Sequence, residues 1–169
     1  MTASRRGSAW MEFPNELEVL ITREFDAPIA RVFDVVTKPE HLSRWGATPP
    51  DQMTECSIDL RVGGDYHYSF VTENGTVCSF EGTYLEVEPP VRTVETWRFG
   101  GWPDAEAVET WQLHENDGVT TLTLSLAFHD KAGRDHYPAS GPEPRELTSS
   151  DGPGASFDAI EEILRSLGS

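Results

Sequence analysis

Cysteine is scarce in this chain, with Cys56 and Cys78 the two among 169 residues. Two cysteines cannot build the disulfide framework of a small secreted domain, and neither has a Cys or His neighbour at metal-ligand spacing. Both are expected to be free core thiols. Basic residues are also few, 13 Lys and Arg against 29 Asp and Glu, which gives a formal net charge of −16. Nucleic acid and anionic membrane surfaces would be repelled by that charge and are excluded as expected partners. Long apolar runs are missing as well. The longest stretch without Asp, Glu, Lys or Arg, residues 118–129, falls far short of the ~20 apolar residues that a membrane span requires. Arg5 and Arg6 are followed by no hydrophobic centre before Pro14, so no secretory signal is recognised and a cytoplasmic protein is expected.

Motifs for metal, nucleotide and nucleophilic chemistry are equally absent. His41, His67, His114, His129 and His136 are scattered, with no pair at His-x-x-x-His spacing. Ala139-Ser140-Gly141 lacks the Gly-x-Ser-x-Gly elbow, and Gly63-Gly64 is too short for a phosphate loop and reads as a strand corner. No metal and no cofactor is expected.

What the chain does contain is a clear change of hydrophobic period. Its length predicts one domain that buries roughly two-thirds of its unfolded surface. Residues 1–15 are polar and aperiodic and read as a disordered leader, so a single domain is expected over 16–169. Leu17, Val19 and Ile21 alternate as a strand up to Asp26-Ala27-Pro28. Ile29, Val32, Phe33 and Val36 then fall on one helical stripe, and a second short helix follows Pro39, with Leu42 and Trp45 on one face. From Met53 to His129 the period becomes two, with turn signals that include Asn74-Gly75 and Asp117-Gly118. Six strands in an antiparallel meander are expected there, because parallel strands need long crossovers. Residues 130–150 read as a loop. A final helix, capped by Asp151, carries Phe157, Ile160, Ile163, Leu164 and Leu167 on one stripe, opposite Asp158, Glu161, Glu162 and Arg165.

This order predicts an α+β fold in which a curved antiparallel sheet wraps around a long C-terminal helix, with two short helices after the first strand. The residues that carry it also carry a resemblance. Ile21-Thr22-Arg23-Glu24-Phe25-Asp26-Ala27-Pro28, Val32-Phe33, and Pro39-Glu40-His41-Leu42-Ser43-Arg44-Trp45 resemble the opening of the activator of heat-shock protein 90 ATPase homologues. Asp59-Leu60-Arg61-Val62-Gly63-Gly64, Phe80-Glu81-Gly82-Thr83-Tyr84 and Glu88-Pro89-Pro90 extend the match. The resemblance implies the START-like, or helix-grip, fold of the SRPBCC superfamily, shared with the birch pollen allergen and polyketide cyclases, with a cavity between sheet and last helix. It further implies binding of a small hydrophobic ligand, as in relatives that sequester toxic metabolites. Stimulation of the heat-shock protein 90 chaperone is implied only for certain eukaryotic multidomain members, and residues 1–15 could not supply their additional domain.

Strand parity supplies candidate residues for such a cavity. Tyr66, Tyr68 and Phe70 alternate on one strand and Phe80, Gly82 and Tyr84 on the next, with the glycine expected to leave room. Trp97 with Phe99, and Trp111 with Leu113, add further rings, which either fill a core or line a pocket for flat apolar ligands. Glu95 and Glu109 each precede a tryptophan by two, which places both acids on the aromatic side. A turn that pairs positions summing to 204 would make them direct neighbours, able to serve as general acid and base or to receive a cationic or hydroxylated ligand. In a different register both acids sit in water. Trp45 reads either as a cavity lid or as a staple between helix and sheet. Asp59 and Arg61 read as a structural pair at a strand corner, with Ile58, Leu60 and Val62 on the apolar face. Trp102 and Tyr137 flank the expected mouth, as gates or as contacts of a homodimer. The expected function is binding of a small apolar or aromatic molecule. The alternatives are a cyclase- or hydrolase-type enzyme using Glu95 and Glu109, and a co-chaperone docking on heat-shock protein 90.

Overall fold

A computed structural model describes residues 6–136, 143–147 and 152–168. Nine strands form one antiparallel sheet in the order β3-β4-β5-β6-β7-β8-β2-β1-β9. They are β1 (Ala9–Glu12), β2 (Glu18–Phe25), β3 (Gln52–Ile58), β4 (Asp65–Val71), β5 (Val77–Glu88), β6 (Arg92–Phe99), β7 (Glu106–Asn116), β8 (Val119–Phe128) and β9 (Arg145–Leu147). Helices α1 (Ile29–Thr37) and α2 (Pro39–Trp45) separate β2 from β3, α3 (Lys131–Asp135) follows β8, and α4 (Gly152–Gly168) ends the chain. This is the α+β helix-grip architecture, with the six-strand meander running from β3 to β8.

Local chemistry accounts for the elements. On β2, Val19, Ile21, Arg23 and Phe25 are buried while the residues between them are not, which is the period of two made physical. In α1, Val32, Phe33, Val35 and Val36 are buried, so packing overrides the modest helix propensity of three valines. Pro39 opens α2 at its first turn, where a missing N–H costs nothing. The β7–β8 hairpin turns on Asp117 (φ 51°) and Gly118 (φ 79°), and the two positive values match the twist of the flanking strands.

Helix α4 is about 25 Å long at 1.5 Å per residue. It packs Phe157, Ile160, Ile163 and Leu164 onto the inner face of the sheet and touches α1 and α2. Arg23, 1% exposed, ties the helix down from beneath. Its Nη1 meets Asp158 Oδ1 at 2.7 Å and its Nη2 lies 3.2 Å from Glu161 Oε2. Its guanidinium also sits 5.3 Å from the Phe25 ring.

Several expectations need correction. The leader assigned to residues 1–15 contains β1, whose Ala9 and Met11 are buried by pairing with β2 and β9. Four residues are too short for periodicity to register, and their burial depends on strands far away in sequence. The loop assigned to 130–150 holds α3, capped by Asp130 through a 2.7 Å bond from the Gly133 N–H, and β9. Asp158 and Glu161, placed on the solvent side of the last helix, instead hold Arg23. Val62 is 64% exposed and not on an apolar face, because β3 ends at Ile58 and the chain turns back. In that turn Arg61 Nε meets Asp59 Oδ2 at 2.8 Å, and Gly63 (φ 84°) bonds back to Tyr84 of β5. Asp151 as a helix cap, and Tyr137, lie outside the described residues.

Candidate functional site

Between α4 and the inner face of the sheet lies a hollow of about 400 Å³. Trp45, Tyr68, Phe70, Phe80, Trp97, Phe99, Glu109 and Trp111 line it, and so does Trp102 from the β6–β7 turn. The remaining wall includes Leu124 and Leu126 of β8, Ser156, Phe157 and Ile160 of α4, and Asp51 before β3. Parity put the aromatic strands on one face, but it could not show which helix residues stand across from them.

The rings support one another around the hollow without filling it. Phe80 stacks between Tyr68 and Phe99, with centroids 4.9 Å from each. Trp97 leans on Phe80 and Phe128, and Trp111 contacts Trp45 edge-on at 5.7 Å. Trp45 combines both roles open to it. Its Nε1 donates to the Val35 carbonyl at 2.7 Å, which staples α2 to α1, while its ring forms cavity wall. Such rings present offset and edge-on faces to a flat guest at little conformational cost.

Three expected site residues lie beside the cavity and do not line it: Tyr66, Tyr84 and Glu95. The rings of Tyr66 and Tyr84 are 5.6 Å apart and buried. Tyr66 extends across Gly82 to donate its hydroxyl to the Thr96 carbonyl at 2.9 Å. The room expected at Gly82 is therefore taken, since a Cβ there would stand 1.8 Å from Thr96 O and 2.7 Å from Tyr66 Cε1. The glycine permits close approach of β5 and β6 and does not widen the pocket.

The two acids are direct cross-strand partners, with Glu95 opposite Glu109 and Trp97 opposite Ala107. Cβ atoms in such pairs are roughly 5 Å apart. Glu95 is 4% exposed and accepts from the Thr93 hydroxyl at 3.2 Å. Glu109 is half-buried and faces the hollow, and its Oε1 accepts from Trp111 Nε1 at 3.0 Å. Burial pushes both carboxyls up. Glu95 is raised further by the charge on Glu109, while the bond from Trp111 partly offsets the rise at Glu109, which reaches about 7. Glu95, the more deeply buried of the two, keeps its proton to higher pH than Glu109, which faces the hollow and gives up its own near neutrality. Burial and the nearby acids also push the Tyr66 and Tyr84 phenols up, so both stay neutral.

A second hollow, of about 600 Å³, opens on the outer face of the sheet. Its walls include Asp65, His67, Glu81, Arg98, Glu106 and His129. The polar groups there pair with one another, as in the Arg98–Glu106 ion pair and the 3.4 Å approach of His129 Nδ1 to Glu106, so the inner hollow is the stronger candidate. Among the described residues no group of His, Cys, Asp and Glu is arranged to hold a metal. No described helix is long and apolar enough to cross a membrane. Cys56 and Cys78 are free, and both are half-buried rather than in the core.

Arg23 is the residue of most structural consequence that sequence reading missed. Its signal was present: it takes a buried position in the alternation of β2, and Asp158 and Glu161 are spaced three apart on α4.

Comparison with known proteins agrees with this fold. A Rhodobacter sphaeroides protein of known structure superposes with a TM-score of 0.81 at 20% identity, covering 94% of this chain and 99% of that one. A Nitrosomonas europaea structure gives 0.75 at 22% identity, over 92% and 99%. At such identities the likeness concerns the fold. An uncharacterized Schizosaccharomyces pombe protein is 27% identical over 121 residues, and that match spans 71% of this chain but only 32% of the yeast protein's length. Residues 26–165 match the family described as activator of Hsp90 ATPase homolog 1-like protein, and the chain belongs to that family.

Proposed function

We propose that the protein binds a small, largely apolar aromatic molecule between the sheet and α4. The observation that carries this reading is the hollow of about 400 Å³, walled mainly by aromatic and aliphatic side chains and held open by Trp45, Trp97 and Trp111. Its volume falls within the range of about 300–1,000 Å³ typical of ligand sites. Burying the apolar area of a two-ring guest at about 25 cal/mol per Å² would drive association. The test is titration with N-phenyl-1-naphthylamine, which is uncharged at neutral pH and fluoresces in apolar surroundings. Saturable one-to-one binding is expected, together with a higher melting temperature, since a ligand at about 100 times its Kd adds roughly 2.7 kcal/mol. Ser156→Trp, which fills the hollow from α4, should abolish binding while the protein stays folded. Absence of saturable binding in the wild type would refute the reading.

One observation favours a second reading, in which the site also performs proton transfer. Glu95 and Glu109 are paired across β6 and β7, so Glu109, the one of the two that lines the hollow, can take a proton from a bound molecule and deliver one to it, with Glu95 behind it as its proton-relay partner. Glu95→Gln would then end turnover of a bound substrate and leave its binding largely intact. If conversion survives that change, this second reading fails.

A further inference from the structure

We infer that the cavity is built for an organic cation, an aromatic ring system bearing a protonated amine, with Glu109 as its counter-charge. The inference rests on the binding role proposed above and names the class of ligand. Among the described residues lining the hollow, Asp51 and Glu109 are the two that carry formal charge, and no Lys, Arg or His lines it. A pocket for an anion would need the opposite balance.

The hydrogen bonding of Glu109 points the same way. Oε1 accepts from Trp111, while no described residue donates to Oε2. A purely hydrocarbon guest would displace water and leave that carboxylate oxygen desolvated and unpaired, which is costly. An ammonium supplies both donor and charge. Trp97 and Trp111 lie in the same wall, and the negative faces of aromatic rings attract cations within about 6 Å. The net charge of −16 draws cations toward the protein, and Asp51 carries a negative charge within the same wall.

Three probes that share one ring system and differ in charge test this by calorimetry at pH 8, where Glu109 is ionised and the amine still protonated: tryptamine, tryptophol and indole-3-acetate. The wild type should bind tryptamine at least about tenfold more tightly than tryptophol, and indole-3-acetate more weakly than either. Glu109→Gln should bring tryptamine to within about threefold of tryptophol, with a melting curve run alongside to show that the variant is folded. Equal affinity for amine and alcohol, or preference for the acid, overturns the inference while leaving the cavity reading intact. Retention of the full amine preference in Glu109→Gln also overturns it. If none of the three binds and N-phenyl-1-naphthylamine does not bind either, the cavity reading falls and this inference falls with it. Should Glu109→Gln fail to fold, the order of the three probes on the wild type decides alone.

Discussion

Replacing Glu109 by Gln changes one charge at constant shape, and the structure fixes both the sign and the size of the consequence. The amide oxygen can still accept from Trp111 Nε1, so no hydrogen bond is lost. In the folded protein burial raises this carboxyl from 4.5 to about 7. Below about pH 4.5 folded and unfolded chains both hold the proton, and above about 7 neither does. Between these limits the folded chain holds a proton that the unfolded chain has released, so stability is lost as pH rises through that window. At about 1.4 kcal/mol per pH unit the loss is on the order of 3 kcal/mol. The groups facing Glu109 leave the window undisturbed. Tyr66 and Tyr84 remain neutral and Glu95 keeps its proton longer. Urea unfolding of both proteins at half-unit intervals from pH 4.5 to 8 measures the effect. The variant should be more stable than the wild type by on the order of 3 kcal/mol at pH 8, and the gap should close toward pH 4.5. The many other carboxylates of this acidic chain cancel in the difference. A gap that stays constant across the range would refute the burial and charge assigned to Glu109.

Two further outcomes follow from the packing around α4 and β5. Removing both acids that hold Arg23, by Asp158→Ala with Glu161→Ala, strands a guanidinium that is 1% exposed and should cost about 3–5 kcal/mol in urea unfolding. Arg23→Met leaves acids that still reach water, at 44% and 24% side-chain exposure, and should cost less, about 1–2 kcal/mol; the reverse order would contradict the latch. Gly82→Ala forces a methyl against Thr96 O and the Tyr66 ring and should destabilise by about 3 kcal/mol, with altered tyrosine signal in near-ultraviolet circular dichroism. Stability within about 0.5 kcal/mol of wild type would mean that Tyr66 does not cross Gly82 as described.

Much of this molecule was legible in one dimension because it depends on local periods. Alternation at Val19 and Ile21, the stripe of Val32, Phe33 and Val36, and the glycine turns at Asn74-Gly75 and Asp117-Gly118 each state a local geometry. One long-range feature was also within reach: pairing across the β6–β7 turn sets Glu95 opposite Glu109, because a short hairpin transmits its register along both strands. Strand β1 was not legible. Ala9 and Met11 become buried only where β2 and β9 meet around them, and a stretch of four residues contains too few repeats to reveal a period.

The sequence by itself determined the acidic surface, the order of elements and the aromatic face of the meander, because each follows from residue type and spacing. Tertiary structure alone decided which of those aromatic positions look into open space. Tyr68 and Trp111 line the hollow while Tyr66 and Tyr84 close against each other, although parity treats all of them alike. It also decided that Arg23 is an anchor for α4 and that the gap at Gly82 is filled by a neighbouring ring. The physical reason is common to these cases. Side-chain direction is a property of the strand, whereas the volume left in front of a side chain depends on how α4 and the curved sheet approach each other.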